Sequence, residues 1–208
     1  MTGRPDVSIC VATFGDLAYW RPWIDQAVAS AEDQTIPVEV VPFHLPESDP
    51  RLLGRARNRA AELATGHEIA FLDADDSLGR GYAEALLGAA GDVRVPAVST
   101  QRIDGTWTRA YRLGRAKRMT EAAWPVIGSM MHRADFLRLG GFREDLEWGE
   151  DLEWWIWCER SGLSFTQVDE AVYQVGYREG SRKSLRYRGP IRNRILAEAR
   201  GPLRVNPH

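Results

Sequence analysis

Val7-Ser-Ile-Cys-Val-Ala-Thr13 is an unbroken apolar run rich in β-branched residues, the pattern of a strand buried on both faces of a parallel sheet. From 17 to 33 the apolar positions change to helical spacing, at Leu17, Trp20, Ile24, Ala27, Val28 and Ala31. Asp16 is placed to cap that helix, and Pro22 falls near its first turn. A second strand is predicted at Val38–Phe43, and a second helix from Leu52 to Ala64, stopping at Gly66. The third strand, Glu68–Leu72, runs straight into Asp73-Ala-Asp-Asp76.

This β-α-β-α-β alternation predicts an α/β fold with a mostly parallel central sheet flanked by helices. In such sheets the chemistry gathers at the carboxyl ends of the strands, where Thr13, His44 and the Asp73–Asp76 group all fall. After residue 92 the pattern changes. Val93–Ile103 and Thr106–Arg112 read as two strands joined by Asp104-Gly105, a strong hairpin signal. A strand at Val126–His132 follows, then a short helix, then Gly140-Gly141-Phe142. Asp151–Ser161 reads as a helix ended by Gly162, and the rest as strands and a basic tail.

A chain of 208 residues allows one domain with a short appendage. With 44% hydrophobic and 27% charged residues it is ordinary globular material, neither disordered nor fibrous. Cys10 and Cys158 lie in apolar stretches without ligand-like spacing, which argues against a disulfide scaffold and against a zinc site. No apolar run reaches membrane-spanning length and the first residues do not read as a secretory signal, so a cytoplasmic location is expected. The net charge of −2 is unevenly placed. Residues 178–208 carry nine Lys/Arg against two Glu, whereas six of the ten residues at 144–153 are acidic. The basic tail suits a solvated terminus, contact with an anionic surface, or packing on the acidic segment. Nothing in the charge pattern points to nucleic acid.

The acidic switch after the third strand is the strongest chemical signal. Three carboxylates in four residues repel one another unless a cation joins them, and oxygen ligands suit Mn²⁺ or Mg²⁺ bridging a diphosphate. Asp73 and Asp75 project to the same side of an extended segment. An acidic turn capping the next helix is the plainer alternative.

The run VSICVATFGD, then SAEDQT, VEVV and GRARNRAAELATGHEIAFLDADD, resembles the nucleotide-sugar half of family 2 glycosyltransferases of the GT-A fold. Downstream, IGSMMHRADFLRLGGFREDLEWGEDLEWW is similar to that family's acceptor half, and Trp148-Gly-Glu-Asp151 to galactosyltransferase-type members. The resemblance covers about residues 7–185. It implies one GT-A domain over 1–185, with a nucleotide-sugar half at 1–92 and an acceptor half at 93–185, and a tail at 186–208. It also implies a metal-dependent inverting transferase that uses a nucleotide-diphosphate sugar, with a UDP-sugar as the expected donor and an unidentified carbohydrate, lipid-linked or protein acceptor. Asp75 would then be the metal ligand, with Asp73 shared between metal and sugar nucleotide. Arg57 would approach the donor diphosphate or base, and Thr13 would lie under the nucleoside. Asp151 would be the general base, with Glu150 as its rival.

Glu150-Asp151 also suits simple capping of the helix that follows, since carboxylates are favoured at a helix N-terminus. Gly140-Gly141 gives a tight turn, with Gly141 toward the acceptor side, and is equally compatible with a helix stop. Of the tryptophans between 124 and 157, Trp148 is the candidate acceptor platform. Trp154, Trp155 and Trp157 share a helix and cannot all face one way, so one or two are core. His67 and His132 read as structural. The family's usual acidic pair after the second strand is replaced by Phe43-His44-Leu45-Pro46-Glu47-Ser48-Asp49, leaving His44, Glu47 or Asp49 as candidates for base recognition.

Two other readings remain open. FLDADDSL also fits the first motif of haloacid-dehalogenase-type phosphatases, with Asp73 as nucleophile, but Lys117 and Lys183, the only lysines, follow no convincing buried strand. A non-catalytic nucleotide-sugar-binding relic would need neither Asp75 nor Asp151.

Overall fold

The computed structural model describes residues 5–49, 51–110, 126–177 and 188–198. Its centre is β1 (Val7–Phe14), buried along nearly its whole length between β2 (Glu39–Leu45) and β3 (Glu68–Asp73), both parallel to it. Such burial on both faces explains why the run is apolar without alternation. α1 (Leu17–Glu32) starts where Asp16 Oδ1 accepts the Ala18 N–H at 2.9 Å, and Pro22 is carried within it. α2 (Leu52–Leu63) turns its small residues Ala56, Ala60 and Ala61 inward.

The second half completes the same sheet. β4 (Ser77–Leu78) and α3 (Tyr82–Gly88) lead to β5 (Val93–Thr100), β6 (Met130–His132) and α4 (Arg133–Arg138). α5 (Glu150–Arg160), β7 (Phe165–Val175) and α6 (Arg188–Glu198) follow. The strand order is β2-β1-β3-β6-β5-β7-β4. β5 pairs with β7 in parallel, while β6 runs antiparallel to β3 and β5, and β4 antiparallel to β7. The α/β sheet is therefore mostly, but not wholly, parallel. The carboxyl ends of β1, β2, β3, β5 and β7 share one edge.

Two expectations need correction, and two elements were not predicted. β4 and α3 carry no early signal, because one is two residues long and the other seven. The Asp104-Gly105 turn forms, with Arg102 N–H donating to Thr106 O and Thr106 N–H to Asp104 Oδ1. The returning arm, however, makes only one bridge, Gln101 to Trp107, rather than a strand over 106–110; residues 111 and 112 lie outside the described residues. Thr108 breaks the ladder, because its side-chain oxygen accepts the Thr100 N–H and its carbonyl accepts the Ser99 hydroxyl. The strand expected from Val126 begins only at Met130, after a turn closed by Ser129 N–H to Val126 O.

Phe71, Phe136, Phe142 and Trp154 form an aromatic core with neighbouring ring centroids 4.9–5.7 Å apart, in edge and tilted contacts. Trp154 and Trp155 are fully buried, and Trp157 donates its indole N–H to Leu139 O, so all three helix tryptophans are structural. His132 is half exposed and pairs with buried Glu68, which also binds Arg94; His67 is exposed. Cys10 and Cys158 are buried and form no disulfide. Among the described residues no helix is long and apolar enough to cross a membrane. Within the basic tail, α6 lies on the acidic segment: Ile195 is buried, Glu198 pairs with Arg143, and Arg194 approaches Asp145 at 3.9 Å.

Candidate active site

β3 delivers Asp73 to the carboxyl edge, and the turn that follows returns through an Asp76 N–H to Asp73 O hydrogen bond of 3.0 Å. This fold-back brings carboxylate oxygens of Asp73, Asp75 and Asp76 within 4.8 Å of one another, a set of hard oxygen donors suited to a divalent cation. The three are not equivalent. Asp76 is buried, and both its oxygens accept from protein donors: the Tyr173 hydroxyl at 2.9 Å and the Gly176 N–H at 2.8 Å. Asp73 and Asp75 are the more exposed members.

Arg57 rises from α2 on a buried face and bridges the two halves of the chain. One guanidinium nitrogen lies 2.5 Å from Asp73 Oδ1 and another 2.5 Å from Glu150 Oε1. Burial works against the charge on Arg57, but Asp73 and Glu150 outweigh it and hold the guanidinium firmly protonated. The same group lies 5.6 Å from the centroid of the Phe142 ring.

Gly149 opens α5 with φ of +79°, in the left-handed region where a side chain is strained, and so turns the chain sharply into the helix. Glu150 and Asp151 then occupy its first turn. Glu150 is buried against Arg57. Asp151 Oδ1 accepts the Leu152 N–H at 2.8 Å. Burial first, and the Glu150 charge second, push its pKa up to about 6, against the opposing pull of Arg57. A carboxyl poised there is ionised at neutral pH yet more basic than an ordinary aspartate, as proton acceptance requires.

One strand away, Thr13 Oγ1 and His44 Nδ1 lie 3.0 Å apart at the ends of β1 and β2. Ala12 sits opposite Asp73 in the ladder, so this pair flanks the acidic turn. Glu47 is exposed in the loop leaving β2, and Asp49 is held by Arg51. Trp148 is half-buried in the loop before Gly149. Gly141 turns out of α4 beside Asn58, whose side chain pairs with both the N–H and the carbonyl of Phe142. Trp124 lies outside the described residues.

The fold thus gathers Arg57, Asp73, Asp75, Glu150 and Asp151 with Thr13 and His44 along one edge, and leaves Glu47 at its margin. Sequence reasoning missed the Arg57–Glu150 link and Tyr173. A tyrosine within an apolar strand reads as core, and nothing local announces its partner.

The sequence profile of Glycosyl transferase family 2 matches residues 42–144, from β2 through the acidic turn to the start of the segment before α5. No curated protein matches the sequence. Among solved structures, S. aureus TarS (1–349) in complex with UDP-GlcNAc superposes with a TM-score of 0.70 at 17% identity, covering 93% of this chain and 66% of that one. The complex of the same protein with UDP gives a TM-score of 0.62 at 15% identity over 82% and 60%. A further TarS crystal structure gives 0.64 at 16% over 83% and 37%. This chain therefore spans between about a third and two thirds of those chains, and at such identities the likeness is one of fold. Together with the family profile it sets aside the phosphatase alternative. Residues 42–144 carry a glycosyl transferase family 2 domain, and the described residues have the GT-A fold.

Proposed function

We propose that this chain is an inverting glycosyltransferase that moves a sugar from a nucleotide-diphosphate sugar, a UDP-sugar, to an acceptor hydroxyl. The single observation that carries the reading is the arrangement around Arg57: one buried guanidinium ties Asp73 of the acidic turn to Glu150, the immediate neighbour of Asp151. A diphosphate-binding turn and a proton acceptor are thereby held in fixed relation. The TarS complexes with UDP and UDP-GlcNAc support the choice of donor class.

In this reading Asp75 and Asp73 hold a divalent cation, Mn²⁺ or Mg²⁺, for which the clustered carboxylate oxygens are suited. When bound, such an ion supplies charge that stabilises the departing diphosphate. Thr13 and His44 contact the nucleoside, with Glu47 at the loop edge, while Trp148 and Gly141 border the acceptor. Asp151 accepts the hydroxyl proton as the acceptor oxygen bonds to the anomeric carbon and the carbon–oxygen bond to the diphosphate breaks. Glu150 is a poor rival for this step, because its carboxylate is committed to Arg57. The reading includes a cytoplasmic location. It also takes residues 1–185 as the catalytic domain, with the tail serving it through α6 rather than docking to an anionic surface.

The test is hydrolysis and transfer from a panel of nucleotide sugars led by UDP-GlcNAc, with Mn²⁺, with Mg²⁺ and with chelator. Donor turnover that needs the cation and is lost in Asp75→Ala, with the fold retained, is the expected result. Cation-independent turnover in Asp75→Ala overturns the metal assignment, and donor binding without turnover under every condition favours the relic reading.

A further inference from the structure

The acidic turn is held from across the sheet. Tyr173, on β7 and 100 residues from Asp73, is fully buried. Its hydroxyl donates to Asp76 Oδ2 at 2.9 Å and accepts the Asp73 N–H at 3.1 Å. Gly176, just past the same strand, gives its N–H to Asp76 Oδ1 at 2.8 Å. The tyrosine ring lies against Gly128, where any Cβ would run into it, and Gly128 is itself held through its carbonyl by the Tyr82 hydroxyl. One hydroxyl therefore restrains both ends of the Asp73–Asp76 turn, and its ring has a seat that only glycine leaves open.

We propose that Tyr173 is a positioning residue for the cation-binding turn: through Asp76 it fixes the backbone so that Asp73 and Asp75, rather than Asp76, present their carboxylates to the metal. Asp76 is then the anchor of the turn and not a ligand. Strand β7, from the acceptor half, sets the geometry of the donor side. This rests on the glycosyltransferase reading.

Tyr173→Phe removes one oxygen and keeps the ring in its seat. Two readouts are followed well below the unfolding temperature. One is Mn²⁺ affinity in the presence of UDP, by electron paramagnetic resonance; the other is amide hydrogen exchange at Asp73 and Gly176, by nuclear magnetic resonance without metal. The variant is expected to bind Mn²⁺ about tenfold more weakly, the equivalent of one hydrogen bond to a charged group. It should also lose protection at Asp73 while Ile69 and Ala70 keep theirs. Asp76→Asn reaches the same anchor from the other side should Tyr173→Phe fold poorly. It is expected to lose no more affinity than Tyr173→Phe, and the double variant less than the sum. Unchanged Mn²⁺ affinity in Tyr173→Phe overturns the assignment. So does an Asp76→Asn loss as complete as that of Asp75→Ala, which makes Asp76 a direct ligand. If the wild-type chain takes up no Mn²⁺ with UDP, the metal assignment in the proposed function falls and this role falls with it. That failure is distinct, because it appears before any variant is made.

Discussion

Replacing Arg57 with Met tests the bridge between the two halves. The Arg57 side chain is 4% exposed and that of Glu150 is 9% exposed, so breaking their pair strands a carboxylate in the interior at a cost of about 3–5 kcal/mol. The Asp73 pair contributes less, about 1 kcal/mol at most, because a third of that carboxylate side chain is in solvent. Methionine keeps the stem packing beside Phe142 but forfeits the charge near the ring, worth about 0.5–1 kcal/mol. The sum is about 4–6 kcal/mol, a large share of a typical domain's stability. For a chain of this size it lowers the melting temperature by about 10–20 °C. Urea unfolding at pH 7.5, followed by tryptophan fluorescence, measures the loss. Arg57→Met combined with Glu150→Gln neutralises the stranded charge and should recover half or more of it. A loss under about 1 kcal/mol, or a double variant no more stable than the single, would refute the reasoning.

Asp151→Asn keeps the side chain's size but cannot take the acceptor proton, so kcat should fall about 10²–10⁴-fold while donor affinity, read by calorimetry, holds. With Asp151 titrating near 6, turnover should rise with pH along a limb centred there, and Glu150→Gln should move that limb to lower pH by removing a neighbouring negative charge. The same raised pKa means that the ionised carboxylate opposes folding: its penalty is absent below about pH 4, builds up between about pH 4 and 6, and is level above that. Asp151→Asn should therefore melt above the wild type at pH 8 and converge with it near pH 4, as differential scanning calorimetry would show. Ile195 is buried beside Gly149 at the start of α5, so Ile195→Ala should cost about 2–4 kcal/mol in chemical denaturation.

The amino-terminal half was readable because its signals are local. β1 and β3 are central strands buried on both faces, which forces continuous apolar runs, and the apolar-to-acid switch at Asp73 marks where the chain leaves the core. Asp16 was legible as a cap because capping spans only two or three residues. The misreadings lie where a distant partner decides. The turn at Asp104-Gly105 formed as its chemistry dictates, but the length of the returning arm was set by the Thr108 side chain competing for the ladder. β4 exists only because Ser77 and Leu78 meet Gln174 and Tyr173. Within the site, residue types told of metal and base chemistry, whereas the pairing of Arg57 with Glu150 joins positions 93 apart and has no local signature.

The strand order also governs how the chain reaches its fold. β6, at residues 130–132, lies between β3 and β5, and the edge strand β4 waits for β7, 97 positions later. A growing chain that has completed β3 therefore carries an open strand edge until β6 emerges, and its acidic turn stays unanchored until residues near 175 follow. Loop closures of that length are slow, and an exposed edge in the meantime is a template for wrong pairing. Cutting the chain at residue 92 would leave neither piece with a closed sheet. Both halves share one sheet, and the acidic turn has its anchor only once β7 is in place.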